Sequence, residues 1–210
     1  MLTRILIILK RLKKIKIEKT FNHKFGNDLK LNLGCGRDYK KDWINIDNNS
    51  DNNIEKLDLK WDLSKGIPFK NDSVNFIFNE HFLEHLTVKE GQIFLKECRR
   101  VLKRGGVLRI SMPDLERSVK EYFNENWKED NKEAFEKFDL TFIQTRAERL
   151  NMAFRWWGHQ WLYDKEELER RLKEAGFYQI EFCKLNESKH SELKNLETRN
   201  ESILIAEVTK

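Results

Sequence analysis

The chain has 210 residues, of which 39% are hydrophobic and 36% are charged, and its formal net charge is +5. That length predicts one domain with a substantial core, and that apolar content argues against an intrinsically disordered chain. Three cysteines, Cys35, Cys98 and Cys183, lie far apart with no CxxC pair. Their spacing argues against a disulfide framework or a zinc ribbon and is typical of reduced thiols in a cytoplasmic protein.

The positive charge is concentrated at the amino end. Residues 1–20 carry seven Lys or Arg against Glu18, a local charge of +6, which leaves −1 for the other 190 residues. The near-neutral charge of residues 21–210 disfavours a nucleic-acid groove, because such a groove needs basic charge spread over the folded face. Residues 1–24 form a basic amphipathic segment whose apolar positions share one helical stripe: Ile5, Ile8, Leu9, Leu12 and Ile15. This segment either contacts an anionic membrane surface, docks on a partner or packs on its own domain, because its apolar run is too short to span a bilayer.

The remaining chain, residues 25–210, alternates strand and helix patterns. Apolar runs bounded by turn residues predict strands at 29–34, 43–47, 55–63 and 73–79. A capping box of Thr87 and Glu90 predicts a helix that ends at Gly105 and Gly106. A strand at 107–113, a helix from Asp164 and strands at 178–185 and 201–208 follow. This order predicts an open, mostly parallel α/β sheet, which a helical, aromatic-rich insertion interrupts at 115–162.

The ends of the first two predicted strands point to a nucleoside ligand. Gly34 and Gly36 close the first strand, and Asp47 closes the second strand only 11 residues after Gly36. Glycines let backbone amides approach a ligand, and a carboxylate at the next strand end can accept hydrogen bonds from ribose hydroxyls. A dinucleotide is disfavoured, because Tyr39 stands where the Rossmann fingerprint needs a third glycine and the acid comes too early.

Several runs of residues, taken in order, resemble the class I S-adenosylmethionine-dependent methyltransferases, in particular the compact type 11-like group. These runs are "LNLGCG", "WINID", "WDLSKGIPFKNDSVNFIFNEHFLEHL" and "CRRVLKRGGVLRISMPDL", which span residues 31–115, and "GHQWLYDKEELERRLKEAGF", which extends the likeness to residue 177. The resemblance implies a Rossmann-like sheet of seven strands, mostly parallel with an antiparallel last strand. It also implies S-adenosylmethionine as the cofactor.

The resemblance assigns cofactor-binding roles to matching positions. Gly34, Cys35 and Gly36, with Leu33 before them, would line the methionine and ribose, and Asp47 would take the ribose hydroxyls. Asp62 and Leu63 would lie at the adenine, and Asn79 would face the sulfonium side. Two departures stand out: the glycine loop is shorter than in most of the class, and Asn75 replaces a commonly acidic residue of the fourth strand.

The run "HFLEH", residues 81–85, carries two opposing interpretations. On a helix, His81 and His85 would share a face and could hold zinc, with Glu84 as base, as in inverzincin proteases. Because the run directly follows a buried strand among methyltransferase-like motifs, we expect no metal there. We instead name His81, Glu84 and His85, with His159 from the insertion, as candidate catalytic residues for the proton of an acceptor. Each could equally be a hydrogen-bonded spacer.

The insertion is predicted to supply both core and acceptor contacts. Helical spacing of Phe135, Phe138 and Phe142 predicts core positions, whereas "FRWWGHQW", residues 154–161, lacks that spacing and would form an aromatic acceptor surface. Asp114 either contacts the substrate or caps the next helix.

The sequence thus predicts a cytoplasmic S-adenosylmethionine-dependent methyltransferase acting on a small-molecule or glycan acceptor. Relatives of the type 11-like group often accompany surface-polysaccharide biosynthesis, so the resemblance favours O-methylation of a saccharide over N-methylation. The basic segment adds the prediction of peripheral contact with the inner membrane face. The alternatives left open are a non-catalytic partner-binding module that retains the fold and an RNA methyltransferase.

Overall fold

A computed structural model describes residues 17, 19–48, 54–137 and 139–210, without the side chains of residues 134 and 137. Residues 19–25 are helical, and Phe21 packs into the main core. The predicted amphipathic stripe, residues 5–15, lies outside the described residues. Within the part of the chain that the structure describes, no helix is long and apolar enough to cross a membrane.

Seven strands form one sheet among the described residues. They are β1 (Leu29–Leu33), β2 (Ile44–Asp47), β3 (Leu59–Lys60), β4 (Val74–Glu80), β5 (Leu102–Met112), β6 (Gln179–Phe182) and β7 (Leu204–Thr209). Their spatial order is β3-β2-β1-β4-β5-β7-β6, with β7 antiparallel to both neighbours and every other pairing parallel. The predicted α/β sheet with an antiparallel last strand is confirmed. Since β1 and β4 are neighbours, their carboxyl ends mark the switch point at which such sheets bind ligands.

Several predicted strands have different bounds from those expected, including 178–185 and 201–208, which are β6 and β7, and two of the differences have a clear cause. The strand predicted at 55–63 shrinks to β3, because Asp58 turns back to bind the backbone of Asn45 and Asp62 caps a short 3-10 helix, Leu63–Lys65. The strand predicted to begin at residue 107 begins at Leu102. The glycines before it form an irregular step in β5, in which Gly105 donates to the carbonyl of Lys210 and Gly106 accepts from its amide.

The helices on this sheet are α1 (Val88–Val101), α2 (Leu115–Phe123), α3 (Trp127–Asp130), α4 (Lys132–Lys137), α5 (Arg146–Arg155) and α6 (Lys165–Glu174). The Thr87–Glu90 capping box is confirmed at α1, but the expected end at Gly105 and Gly106 is wrong. The helix stops at Val101, because the following residues are already paired in the sheet. Asp114 caps α2 by accepting from the amide of Glu116 at 2.9 Å.

The segment from α3 to α5, including the connection after α4, contains a small core separate from the sheet: Trp127, Phe135, Leu140, Ile143 and Met152. The prediction that Phe135 is buried is confirmed, and Phe138 lies outside the described residues. Phe142 is 49% exposed, so its predicted core position is wrong. The reason is that α4 ends at Lys137, so the helical spacing does not continue to Phe142.

A buried arginine secures the long connection between β6 and β7. Arg109 of β5 is fully buried and contacts Glu197 at 2.5 Å and Glu207 at 2.6 Å. Its guanidinium also donates to the carbonyl of Glu187 at 2.9 Å. Sequence reasoning missed this network, which fixes the 183–203 connection above the sheet edge that carries the candidate site.

Candidate functional site

The glycine turn after β1 is held against the end of β2 by main-chain hydrogen bonds. The amides of Gly34 and Cys35 both donate to the carbonyl of Ile46, at 2.9 and 3.2 Å, and the amide of Gly36 donates to Asp47 Oδ2 at 3.1 Å. Gly34 and Gly36 have φ values of +67° and +51°, in the left-handed region that favours glycine. A Cβ at Gly34 would lie 2.4 Å from the ring of Phe82, whereas one at Gly36 would meet nothing within 4 Å. The turn therefore requires glycine and leaves open space beside Gly36.

A buried polar network supports this turn from below. Asn32 Nδ2 donates to Asn45 Oδ1 at 2.9 Å, and Asn45 Nδ2 donates to Asp58 Oδ2 at 3.0 Å. Asn45 also accepts from the amide of Lys40 at 2.8 Å, inside the loop that joins the turn to β2. These bonds order a loop that has no helix of its own. Sequence reasoning missed the network, although asparagines inside two apolar strand patterns were a visible signal.

Asp58 is the charged end of that network. Lys24 Nζ contacts it at 2.8 Å, and its side chain is only 7% exposed. Burial acts to raise the pKa of Asp58, but the hydrogen bonds from Lys24 and Asn45 outweigh burial and hold the pKa below its ordinary value. Asp58 is therefore a carboxylate in the folded protein at neutral pH.

The residues expected at the adenine lie after β3. Asp62 accepts from the amide and hydroxyl of Ser64, at 3.1 and 2.6 Å, and contacts Lys65 Nζ at 2.6 Å. The hydrogen bonds from Lys65 and then Ser64 lower the pKa of Asp62. Leu63 is buried beside it. This short helical turn lies one strand beyond Asp47, at the same edge of the sheet.

Asn79 joins the ends of β4 and β1 across the switch point. Its Nδ2 donates to the carbonyl of Leu33 at 2.8 Å, whereas its fully buried Oδ1 makes no hydrogen bond. Cys35, in the turn beside it, is buried, and burial together with the charge of Asp47 raises the thiol pKa to about 12. Cys35 is therefore a packing residue and no nucleophile.

The "HFLEH" run does not lie on an α-helix. His81 has a φ of +49°, and the following turn, Leu83–His85, is a 3-10 helix. His81 Nδ1 lies 3.2 Å from Glu84 Oε1, and its Nε2 lies 3.1 Å from Ser202 Oγ. The zinc geometry that requires His81 and His85 on one helical face is therefore absent from this described segment, and the partly buried His81 links Glu84 to Ser202.

The carboxylate of Glu80 anchors the other side of this link. It accepts from Ser202 Oγ at 2.7 Å and from the amide and hydroxyl of Thr198, at 3.0 and 2.8 Å. The connection between β6 and β7 is thereby fastened to the end of β4. Sequence reasoning did not single out Glu80, Thr198 or Ser202, because nothing local relates residues more than 100 positions apart.

The insertion brings His159 onto the same turn. The amides of Gln160 and Trp161 both donate to the carbonyl of Glu84, at 2.8 and 3.2 Å, and the rings of His85 and His159 lie 4.9 Å apart. His159 is buried, with Nδ1 2.6 Å from the carbonyl of Ala153. The structure thus brings together Glu84, His85 and His159, three of the four candidate catalytic residues, while His81 touches the group through Glu84.

Burial and charge act differently on the two ionisable groups of this turn. Burial lowers the pKa of His85, an effect that the Glu84 charge opposes and the His159 charge reinforces. Burial acts to raise the pKa of Glu84, but the contact with His81 and the charges of His81 and His85 outweigh it, so that pKa lies below its ordinary value. The turn therefore presents a buried carboxylate beside the His85 imidazole, each with a lowered pKa.

An aromatic surface adjoins His159. Trp156 is 58% exposed and Trp157 is 50% exposed, while Phe154 and Trp161 are also exposed. The ring of Trp157 lies 5.7 Å from that of His159, and Trp156 packs 5.1 Å from Phe142. We call Phe142, Phe154, Trp156, Trp157 and Trp161 the aromatic surface.

Comparison with known proteins identifies the sheet and its turns. Residues 31–110 match the family model of a methyltransferase domain. No curated protein matches the chain. The fold is similar to that of a methyltransferase from Archaeoglobus fulgidus, with a TM-score of 0.51 and 16% identity over 96% of this chain and 94% of that chain. It is equally similar to one from Thermotoga maritima described as a possible histamine N-methyltransferase, with a TM-score of 0.51 and 17% identity over 99% of this chain and 94% of that chain.

Both solved structures are of S-adenosylmethionine-dependent enzymes, and at these identities they establish the shared fold. The matched segment runs from β1 into β5. It therefore includes the glycine turn, Asp47, Asn79 and the turn at residues 81–85, which we call the histidine turn. Residues 31–110 thus match a methyltransferase domain, and the topology of the chain is the fold that S-adenosylmethionine-dependent methyltransferases share.

Proposed function

We propose that the protein transfers the methyl group to a hydroxyl of a small molecule or glycan, with a saccharide as the favoured acceptor. The observation that carries this proposal is the aromatic surface beside His159, since exposed indole faces suit the apolar face of a sugar ring. The family resemblance adds surface-polysaccharide biosynthesis as the setting. The near-neutral charge of residues 21–210 gives RNA, the other large acceptor class, little support.

The residues around the glycine turn fit the cofactor. The open space beside Gly36 can accept a ligand without displacing a side chain, and the unpaired, buried Oδ1 of Asn79 offers an acceptor at the neighbouring strand end. We propose that Leu33 to Gly36 line the methionine and ribose, that Asp47 binds the ribose hydroxyls, and that Asp62 and Leu63 border the adenine. When bound, the cofactor supplies an electrophilic methyl group on a sulfonium centre.

We propose that the histidine turn lies at the acceptor side of this site. Glu84, His85 and His159 receive the acceptor hydroxyl and its proton during the in-line attack, and His81 positions Glu84. The aromatic surface excludes water and orients the acceptor. This division follows the contacts: His81 is occupied by Ser202 and Glu84, whereas the other three side chains face one another.

Calorimetry with S-adenosylmethionine and S-adenosylhomocysteine tests the cofactor site first. We expect Asp47→Ala to weaken binding by about 100-fold, because the loss of charged hydrogen bonds to two hydroxyls is worth about 3 kcal/mol. Asp28→Ala is the matched control, since Asp28 precedes β1 at the opposite end and its side chain is 87% exposed. Equal affinities in the two variants would contradict the assignment of Asp47.

A methyl-transfer assay that detects S-adenosylhomocysteine then tests the acceptor. We expect turnover with sugars or nucleotide sugars, with the methyl group found on oxygen. Turnover only with amines, such as histamine, or only with structured RNA would replace the saccharide proposal. Peripheral membrane contact through residues 1–24 stays a prediction of the sequence, and co-sedimentation with anionic vesicles at low salt tests it.

A further inference from the structure

The buried carboxylate of Glu84 is incompletely satisfied. The residue is fully buried, and neither carboxylate oxygen makes a hydrogen bond. Its one ion-pair partner in the described residues is His81, whose Nδ1 lies 3.2 Å from Oε1 and is charged only when protonated. A buried charge without sufficient partners is expensive, so such groups are normally paired or bound to a metal.

Two imidazoles complete a set of metal ligands around this carboxylate. One carboxylate oxygen of Glu84 and one ring nitrogen each of His85 and His159 lie within 4.8 Å of one another. Glutamate and two histidines are a recurrent ligand set for zinc in sites that keep a position open for water or substrate. A zinc ion with bonds of about 2.0–2.1 Å would draw the three atoms together by small side-chain rotations.

The outer contacts of His159 fit the same role. A carbonyl oxygen only accepts, so the 2.6 Å contact with Ala153 requires the proton on Nδ1 and leaves the lone pair on Nε2. Metal-binding histidines commonly donate their other ring nitrogen to a backbone carbonyl in this way. His85 is only partly buried, so the group is reachable from solvent on that side.

We propose that Glu84, His85 and His159 bind one first-row divalent cation, with zinc as the best match to the ligand set. The set differs from the inverzincin pattern, because His159 of the insertion replaces His81. When a cation is bound, these three side chains are its ligands, and the cation, in place of their free lone pairs, would bind the acceptor hydroxyl and lower its pKa. The mixed nitrogen and oxygen ligands disfavour magnesium and calcium, which prefer oxygen.

Zinc titration of the chelator-treated full chain tests this proposal. We expect one zinc ion per chain by calorimetry and by elemental analysis after dialysis. Removal of a supporting hydrogen bond commonly weakens metal sites by about 10- to 100-fold, so removal of a ligand in His159→Ala or Glu84→Gln should weaken binding by at least about 100-fold. His23→Ala, at an exposed histidine outside the group, should leave the affinity unchanged.

Cobalt substitution separates this site from the three cysteines. We expect a cobalt spectrum without thiolate charge-transfer bands that is lost in both His159→Ala and His85→Ala. Absence of zinc binding to the folded chain, or equal affinity in these variants and the parent, would overturn the metal site. Metal binding and methyl transfer are measured separately, so a chain that methylates a saccharide but binds no zinc would lose only this inference.

Discussion

The glycine turn and the aromatic surface lie at the same edge of the sheet, yet they are held in different ways. Main-chain bonds to Ile46 and a buried network from Asn32 to Asp58 hold the turn. The aromatic surface belongs to the insertion, which has a small core of its own and is attached through two backbone bonds to Glu84. The turn is thus built from main chain and strand ends, whereas the aromatic surface depends on exposed side chains from the insertion.

The largest effect that would test this difference is expected at Gly34. Gly34→Ala places a Cβ 2.4 Å from the Phe82 ring at a φ of +67°, so overpacking and backbone strain should together lower the free energy of unfolding by about 2–4 kcal/mol. Gly36→Ala shares the strain at φ +51° but meets open space, and should lose only about 1 kcal/mol. Urea unfolding compares the two. Equal decreases in the free energy of unfolding would mean that the close approach of Phe82 to Gly34 does not affect stability.

An intermediate effect is expected at Asp58, beneath the turn. Asp58→Asn removes a buried carboxylate that accepts from Asn45 and Lys24, and should lower the free energy of unfolding by about 1–2 kcal/mol at pH 7. Because the folded pKa is depressed, this contribution is complete above the unfolded pKa, about 4, and is lost as pH falls through the folded value. The difference in free energy of unfolding between parent and variant should therefore be constant from pH 7 to about pH 5 and shrink below about pH 4.

Urea unfolding of the parent and of Asp58→Asn across that pH range measures this difference in free energy of unfolding. Asp28→Asn serves as the control, because its exposed side chain should give little difference at any pH. If the difference in free energy of unfolding between parent and Asp58→Asn stays constant down to about pH 3, the charge of Asp58 does not stabilise the loop.

The smallest effect on stability is expected at the aromatic surface. Trp156→Ala removes an indole that is 58% exposed, so the free energy of unfolding should change by no more than about 0.5 kcal/mol. The KM for a saccharide acceptor should nevertheless rise about 10-fold, because one stacking contact is worth about 1 kcal/mol or more. Affinity for S-adenosylmethionine should not change.

Tyr178→Ala is the matched control for this variant, since Tyr178 is an aromatic residue that is 78% exposed outside the aromatic surface. Its KM should equal that of the parent. If Trp156→Ala also leaves the acceptor KM unchanged, or if it unfolds the domain, the aromatic surface is not an acceptor site of the kind proposed.

Local patterns in the sequence were sufficient for most of the sheet and for the glycine turn at the end of its first strand. Apolar runs identified β1, β2 and β4, because a buried strand shows as a short apolar run, and the Thr87–Glu90 box identified the start of α1, because its hydrogen bonds join near neighbours. The glycine turn and Asp47 were also visible, since successive strand ends of a parallel sheet meet at one edge. Boundaries failed where distant partners intervened, as at Gly105 and Gly106, which pair with Lys210.

Only the tertiary structure decided which side chains meet around these turns. His159 lies 74 residues after His85, and Ser202 lies more than 100 residues after His81, so no sequence period could relate them. The same holds for Arg109, whose burial depends on carboxylates supplied by the β6–β7 connection and β7. The sequence by itself determined most of the sheet, the glycine turn and Asp47, because apolar runs and turn residues are local signals. The surroundings of Glu84 and His159 were decided by long-range packing, because burial of polar side chains is favourable only where distant segments complete their hydrogen bonds and charges.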